Sequence, residues 1–359
     1  MNFYVDAYLA SNLGDDLFVK ILAESFPNIL FTVNYYGKYC KTTFSQQKNI
    51  LFPQYPTIFK LLNRTHIYDY INDADRISSK FDGFILLGGS IFREEPYWKS
   101  VYAHRSRIIN AFQKANKPVL IIGANFGPVQ TRSFIEQYAK LFQMSTDVCF
   151  RDSYSYGLFS ELQNVRLERD VIFQYDFPKI MKNKKLIGFS VIDPEHIPNI
   201  RKKRDTYKLV IAKTIKEYIS KGFRCRILAF CEAEGDVKIA SEIMSMLNDN
   251  EKKYIEIKIY DGCIEQIVAA LGECSVLVAS RFHANVLGLL SGAQLIPLIY
   301  SDKTKNLLKD SSFLSEIIDI AEIDANTHII NTGYVHKFPV KEYKESARRQ
   351  FTAITGAIS

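Results

Sequence analysis

The chain alternates short, continuous apolar runs with segments in which apolar residues recur at every third or fourth position. A short apolar run that ends in glycine or a polar residue is typical of a parallel strand buried on both faces, and the periodic segments are typical of helices that cover such a sheet. The pattern predicts strands at residues 2–8, 83–89, 118–125, 147–152, 164–170, 185–192, 224–230, 255–262, 276–280 and 294–300. It predicts helices at residues 15–26, 154–162, 205–220, 237–247, 264–273, 281–292 and 341–358.

Because strand and helix alternate along the whole chain, we predict an α/β protein with mostly parallel sheets. A length of 359 residues suits two domains better than one core. The polar, proline-containing stretch 176–184 separates two series of elements, so we place a boundary near residue 180, between a domain of residues 1–180 and one of residues 181–335. Residues 336–359 are then a charged C-terminal helix that packs on either domain.

The charge pattern narrows the class of partner. The formal net charge of +7 is spread along the chain, with one lysine cluster at 182–186 beside the predicted boundary. This balance suits an anionic small molecule or a membrane surface, whereas a nucleic-acid binder would carry a basic stripe. We therefore expect no nucleic-acid partner.

Cysteine usage and hydropathy indicate the compartment. The six cysteines, of which Cys40 is the first, form no CxxC pair, and no histidine lies at a metal-ligand spacing from them. Cys149 and Cys225 lie inside apolar runs, as buried thiols do. The N-terminus lacks a basic start, and no apolar stretch approaches the length of a membrane span. We expect a cytoplasmic protein with at most peripheral contact at the inner face of the membrane.

Polar residues at strand ends are the candidates for chemistry, because ligands of open α/β sheets bind at the carboxyl ends of the strands. Arg281 and His283 follow the apolar run 276–280 and open the next helix. An arginine there is a planar fork for phosphate or carboxylate, and a histidine can move a proton near neutral pH. The structural alternative is that His283 caps or packs and Arg281 makes an ordinary salt bridge.

Other strand ends carry weaker signals. Arg151 and Asp152 close one run, and Asp152 suits the N-cap of the following helix. After the first strand, Gly14 permits close backbone approach, and Asp15 suits either an N-cap or a partner for a sugar hydroxyl. The DAD segment at 73–75 has the spacing of a DxD metal site, but it lies away from strand ends and lacks a second carboxylate cluster, so we predict no metal site.

Taken together and in this order, the strand-end motifs resemble those of the polysaccharide pyruvyl transferase family over about residues 1–305. The S-R-x-H-A element is the most specific part of the resemblance. The matching residues are Asn12, Gly14 and Asp15; Gly88, Gly89 and Ser90; Gly123, Gly127 and Pro128, with Asn125 inside that segment; Arg151, Asp152 and Ser155; Ser280, Arg281, His283 and Ala284; and Tyr300 and Lys303. The chain departs from the family after Asp170, where Val171 replaces a proline.

The resemblance implies a fold similar to glycosyltransferase B, with two Rossmann-like domains facing a central cleft. It implies phosphoenolpyruvate as donor and a sugar diol as acceptor, giving a pyruvate ketal in surface polysaccharide (capsule or exopolysaccharide) biosynthesis, with no cofactor. The second domain would hold the donor through Arg281, Ser280, Lys303 and, from the first domain, Arg151, with His283 as the proton carrier. The acceptor or cleft residues would be Asn12, Gly14, Asp15, Gly89 and Asn125, and the acceptor could be a lipid-linked oligosaccharide.

Two other functions stay open on the sequence. One is a nucleotide-sugar-dependent glycosyltransferase of the same architecture, in which Arg281 holds a diphosphate. The other is a non-catalytic carbohydrate-binding subunit of a polysaccharide assembly system. We expect Arg281 to be unpaired, and an unpaired arginine argues against a pure scaffold.

Overall fold

The computed structural model describes residues 1–35, 42–53, 73–313, 316–329 and 338–358. The chain forms two compact units, which we call the first and second domains. The first comprises Met1–Leu9, Phe18–Gln174 and Lys344–Ser359, and the second comprises Ala10–Leu17 and Tyr175–Tyr343. The chain passes into the second domain between Gln174 and Tyr175, where the sequence suggested residue 180.

The first domain is built on a seven-stranded sheet in which every pair of neighbours is parallel. Its strands are β1 (Asn2–Ala7), β2 (Leu30–Val33), β3 (Ile50–Leu51), β4 (Gly83–Leu87), β5 (Val119–Ala124), β6 (Asp147–Phe150) and β7 (Val165–Leu167), in the spatial order β3-β2-β1-β4-β5-β6-β7. Its helices are α1 (Leu13–Ser25), whose first residues are grouped with the second domain, α2 (Ala74–Lys80), α3 (Trp98–Lys114), α4 (Arg132–Gln143) and α5 (Ser153–Phe159).

The second domain is built on a six-stranded parallel sheet. Its strands are β8 (Asn183–Ser190), β9 (Arg224–Ala229), β10 (Ile255–Ile259), β11 (Cys274–Ala279), β12 (Gln294–Ile299) and β13 (Ile318–Asp319), in the order β10-β9-β8-β11-β12-β13. Its helices are α6 (Arg204–Ser220), α7 (Asp236–Ser245), α8 (Asp249–Lys252), α9 (Ile264–Gly272), α10 (Phe282–Ser291) and α11 (Asp302–Asp310).

The predicted α/β class with parallel sheets is confirmed, and the central strands are buried on both faces. All residues of β4, β5 and β12 are buried, which is why these strands appear in the sequence as unbroken apolar runs. The elements that the pattern did not predict are the helices α2, α3, α4, α8 and α11 and the short strands β2, β3 and β13. Among these, α4 buries Phe134, Tyr138, Leu141 and Phe142 at helical spacing. Its exposed face is strongly polar, so the segment lacks the continuous apolar run that marks the strands.

The cysteine prediction is confirmed for the two residues to which it applied. Cys149 and Cys225 are buried, and burial raises the pKa of both thiols, that of Cys225 to about 12. Cys40 lies outside the described residues. No helix among the residues that the structure describes is long and apolar enough to cross a membrane.

The C-terminal segment belongs to the first domain from Lys344 onward and forms two helices, not the single helix predicted at 341–358. These are α12 (Val340–Arg349) and α13 (Thr352–Ile358), and the chain turns between them at Gln350 and Phe351. Gln350 is fully buried: its Oε1 accepts a hydrogen bond of 2.9 Å from the amide of Gly123, and its Nε2 donates to the carbonyls of Phe150, Glu168 and Arg169. One side chain therefore satisfies backbone groups at the end of β6, after β7 and within β5.

Replacing Gln350 with leucine, which has a similar volume, should destabilise the first domain. The change leaves buried backbone groups without partners, at a cost of about 1–3 kcal/mol for each group left unsatisfied. The single tryptophan, Trp98, is buried in the core of this domain, so its fluorescence during urea unfolding measures the loss. Gln113→Leu, the same change at an exposed position of α3, is the control. An unchanged unfolding midpoint for Gln350→Leu would contradict the assigned role.

Candidate functional site

The S-R-x-H-A element lies where the sequence predicted, at the carboxyl end of β11 and the start of α10. Arg281 is the N-cap residue of α10, which places His283 in the first helical turn. Ser280 is fully buried, and its Oγ lies 2.8 Å from the hydroxyl of Tyr207. Ser280 thus holds the strand end against α6 and does not present its hydroxyl to solvent.

Arg281 is ion-paired, so the expectation of an unpaired arginine is wrong. Its guanidinium makes a two-pronged contact with the carboxylate of Asp236, at the start of α7, and a second ion pair with Glu234. Burial opposes the charge on Arg281, but the neighbouring carboxylates raise its pKa well above the usual value, so it stays charged. One cation therefore lies between two anions, and the cluster as a whole does not carry excess positive charge.

Sequence reasoning missed both carboxylates because they lie about 45 residues before Arg281, at and just before the start of α7, where there is no recognisable motif. Asp236 is fully buried and also accepts hydrogen bonds of 2.9 and 3.0 Å from the amides of Phe230 and Cys231. Its place between an apolar strand and the helix that follows is the signal in the sequence that could have pointed to it.

His283 packs directly against the backbone of Gly14, which comes from the N-x-G-D motif at the other end of the chain. A Cβ atom at Gly14 would lie 1.5 Å from Nδ1 of His283, far inside any permitted contact. Glycine is therefore required at position 14 by the imidazole ring, and not by backbone conformation. Two motifs far apart in sequence form one site within the second domain.

Residues 10–17 hold this contact in place by joining the end of β9. Asn12 forms an antiparallel bridge with Cys231, and its Oδ1 accepts a 3.0 Å hydrogen bond from the amide of Gly14. Asp16, which sequence reasoning also missed, is fully buried and accepts a 2.6 Å hydrogen bond from the hydroxyl of Tyr260. Asp15, the residue selected from the motif, is half-buried beside Gly14. The motif therefore contributes to the second domain, next to His283.

Two further residues at this end of the sheet keep unused hydrogen-bonding capacity. Ser190 Oγ, at the end of β8, and Asn285 Oδ1, in α10, are buried and have no hydrogen-bond partner among the described residues. They come close together because Ser190 is the sheet neighbour of Ala279, whose carbonyl accepts a 3.2 Å hydrogen bond from Asn285. Buried polar atoms in proteins normally have partners, so such atoms point to a place where a ligand or water binds.

Lys303 lies in the first turn of α11, which follows the neighbouring strand β12. Its Nζ lies 5.9 Å from the centre of the Phe282 ring, within the range of a cation–π contact. Neither Arg281 nor Ser301 caps its own helix through its side chain. Helix starts of this kind favour anions.

The first domain has a second cluster, built on Arg151 at the end of β6. Its guanidinium forms a buried 2.6 Å ion pair with Asp170 and a hydrogen bond with Oδ1 of Asn125. A Cβ atom at Gly89 would lie 2.5 Å from Nη1 of Arg151, so glycine at position 89 makes room for the guanidinium. Ser90 also donates to Asn125, over 3.1 Å. Asp170, the residue after which the chain departs from the family pattern, is the counterion of Arg151.

The remaining acidic candidates have structural roles. Asp152 is the N-cap of α5, as predicted, and accepts hydrogen bonds from the amide and hydroxyl of Ser155. Asp73, in the DAD segment, is the N-cap of α2 and accepts from the amide of Arg76. Across the residues that the structure describes, no three histidine, cysteine, aspartate or glutamate side chains are placed to hold a metal ion.

Comparison with known proteins identifies the family. The sequence model of the polysaccharide pyruvyl transferase family matches residues 12–302, which begins at the first motif residue and ends beside Lys303. The chain belongs to the polysaccharide pyruvyl transferase family. None of the curated proteins compared with the chain matches it significantly.

Solved structures confirm that the two parallel-sheet α/β domains have a fold of the glycosyltransferase B type. The UDP-GlcNAc 2-epimerase from Methanocaldococcus jannaschii superposes with a TM-score of 0.56 at 11% identity, covering 99% of this chain and 100% of the epimerase. HepE from Anabaena, solved in complex with UDP and glucose, superposes with a TM-score of 0.53 at 11% identity, covering 99% of this chain and 96% of HepE. The UDP-GlcNAc 2-epimerase from Neisseria meningitidis, bound to UDP-GlcNAc, gives 0.51 at 13% identity, covering 100% and 99%. At such identities the likeness is one of fold.

We predict that Gly14→Ala displaces the His283 ring without unfolding the protein. The new methyl group and the imidazole cannot occupy the same space, so the ring or the start of α1 must move. The imidazole C–H signals of His283 in NMR spectra, assigned by their loss in a His283→Asn variant, should shift. Gly157→Ala is the matched control. It also replaces a helical glycine with alanine, but a Cβ atom at position 157 meets nothing within 4 Å. His283 signals that are unchanged in Gly14→Ala would show that the two residues do not touch.

Proposed function

We propose that this protein transfers the enolpyruvyl group of phosphoenolpyruvate to two hydroxyl groups of one sugar and so forms a pyruvate ketal of a surface polysaccharide. Family membership supports a transferase of this class. The observation that carries the proposal is the position of His283, in the first turn of α10 and against the backbone of Gly14. It puts a proton-transfer group beside a helix start that favours anions.

The reaction needs one proton carrier and no redox step. Protonation of the methylene carbon of phosphoenolpyruvate makes the neighbouring carbon electrophilic, and a sugar hydroxyl attacks that carbon and loses its proton. The bond to the phosphate oxygen then breaks, and the second hydroxyl closes the ketal. Of the two hydroxyl protons, one balances the proton placed on the methyl group and the other leaves with phosphate. In the proposal His283 delivers the first proton and Asp15, beside it, hydrogen-bonds the attacking hydroxyl.

The ion pairs of Arg281 change the proposed donor site. Phosphoenolpyruvate carries a phosphate and a carboxylate, and a cation already shared by Asp236 and Glu234 is a weak clamp for them. We therefore propose that the positive ends of the α10 and α11 dipoles and Lys303 bind the donor, with Arg281 holding the start of α10 in position. Ser190 and Asn285 add hydrogen-bonding capacity at the same end of the sheet.

Arg151 has the corresponding position in the first domain. Its pairing with Asp170 and Asn125 leaves a neutral, buried cluster beneath the strand ends. We propose that this cluster orders the loop residues Gly89, Ser90 and Asn125, which would recognise uncharged sugar hydroxyls, and that Arg151 reaches an anionic donor only if it exchanges Asp170 for the ligand.

The test of the function is release of inorganic phosphate from phosphoenolpyruvate in the presence of galactose, glucosamine or mannose acceptors. We expect release that depends on acceptor and continues in excess chelator, because the proposed chemistry uses only side chains and amides. Sugar nucleotides such as UDP-glucose should be inert as donors. Transfer from a sugar nucleotide would favour a glycosyltransferase, and acceptor binding without turnover of either donor would favour a binding subunit. Loss of activity in chelator, restored by magnesium or manganese, would overturn the metal-free mechanism.

Substitution of His283 separates catalysis from helix capping. Loss of a positioned proton carrier typically lowers turnover by roughly 10²–10⁴-fold, and donor binding should change little. His283→Asn should be as inactive as His283→Ala if the ring transfers a proton. Because asparagine is a good helix cap, substantial activity in His283→Asn would show that His283 is structural. Single-turnover rates and the donor dissociation constant, measured on the same preparations, distinguish the two outcomes.

A further inference from the structure

The amino-terminal ends of three strands of the second-domain sheet, opposite the strand ends near His283, carry a dense group of exposed cations. We call it the basic edge and define it by Lys179, Lys184, Lys185, Arg224, Lys252 and Lys253, all of which are exposed. They belong to the segments that precede β8, β9 and β10 or to the first residues of those strands. The sequence shows this group only as scattered lysines, apart from the cluster at 182–186.

Strand register brings these segments together. In the parallel sheet Leu186 is the neighbour of Arg224, and Cys225 is the neighbour of Ile255. Lys185 and Arg224 therefore lie at one end of adjacent strands, about 5 Å apart in the backbone, and Lys253 lies two residues before the third strand. The Nζ atom of Lys185 also lies 4.4 Å from the centre of the Phe223 ring.

The carboxylates near this edge are largely engaged elsewhere. Glu256 and Glu273 both pair with Arg226, at 2.6 and 2.7 Å, and Glu251 closes a capping box at the start of its own helix. Lys252 lies 3.5 Å from Asp249. This is the one ion pair that the structure describes for the six defining cations. The basic edge thus carries a net positive charge.

Two apolar side chains stand among the cations. Met181 is 91% exposed, between Lys179 and Lys184, and Tyr254 is 51% exposed, directly after Lys253. Methionine is flexible and apolar, and tyrosine has an apolar ring with a polar tip that suits the level of lipid headgroups. Exposed apolar residues flanked by lysines are the pattern of a surface that rests on anionic lipids, whereas a soluble polyanion would gain little from Met181.

We propose that the basic edge docks the second domain on the surface of an anionic lipid bilayer. The lysines and Arg224 would face phosphate headgroups, with Met181 and Tyr254 at the headgroup level. β8 is eight residues long, so the strand end at Ser190 lies roughly 25 Å along the strand from this surface. The inference rests on the second-domain surface and does not depend on the proposed function.

Co-sedimentation of the full chain with vesicles tests the proposal. The wild type should bind vesicles of phosphatidylcholine mixed with phosphatidylglycerol, bind poorly to pure phosphatidylcholine, and dissociate at high salt. A variant with Lys179→Gln, Lys184→Gln, Arg224→Gln and Lys253→Gln should bind the anionic vesicles at least on the order of a hundredfold more weakly. The matched control, with Lys48→Gln, Lys80→Gln, Lys114→Gln and Lys140→Gln, removes the same charge from exposed positions of the first domain and should bind like the wild type.

The other outcomes overturn the proposal. Equal losses in the two variants would mean that net charge, and not the basic edge, controls binding. Met181→Ser should weaken vesicle binding with all cations present; if it has no effect and the wild type binds heparin as tightly as vesicles, the partner is a soluble anionic polymer. Phosphate release from phosphoenolpyruvate with a soluble acceptor should be the same in all these variants, so a failure of docking is distinguishable from a failure of the proposed reaction.

Discussion

The contact between the imidazole of His283 and the backbone of Gly14 organises the second-domain site. For the ring to reach this position, residues 10–17 must join the end of β9, and the hydrogen bonds of Asn12 and Asp16 hold them there. The same contact requires that α10 start at a fixed place, which the ion pairs of Arg281 ensure. The glycine and the histidine of two separate family motifs are therefore two parts of one packing constraint.

The two domains use the same device at their strand ends. In each, a glycine without a side chain lets a charged or titratable group lie flat against the backbone: Gly14 beneath His283, and Gly89 beneath Arg151. In each, a buried arginine is neutralised by an aspartate from another segment, Asp236 or Asp170. A buried arginine left without its counterion would be strongly destabilising, at about 3–5 kcal/mol. These arginines therefore contribute to the geometry of the strand ends whatever else they bind.

Arg281 and His283 belong to one motif, S-R-x-H-A, but the structure gives them different surroundings. Arg281 and His283 are two residues apart in sequence, yet the first is held between carboxylates and the second lies against Gly14 in the first turn of α10, at the same end of the sheet as Lys303. In the proposed reaction, anion binding falls to the starts of α10 and α11 and to a lysine, and proton transfer falls to histidine. The basic edge lies at the amino-terminal ends of strands of the same sheet, so the candidate site and the cationic surface of the second domain are at opposite ends of its strands.

The sequence by itself determined the fold class and selected the strand-end residues that are candidates for the site. Unbroken apolar runs such as β4 and β5 are typical of buried parallel strands, and polar residues that follow such runs then lie at the carboxyl ends of the strands, so Arg151, Arg281 and His283 could be selected without a structure. Partners could not be selected in this way. Asp236, Asp170, Asp16 and Gln350 act through contacts with residues distant in sequence, and only the register of the strands and the packing of helices decide which charges meet. For that reason the arginine expected to be unpaired is paired, and scattered lysines form one edge.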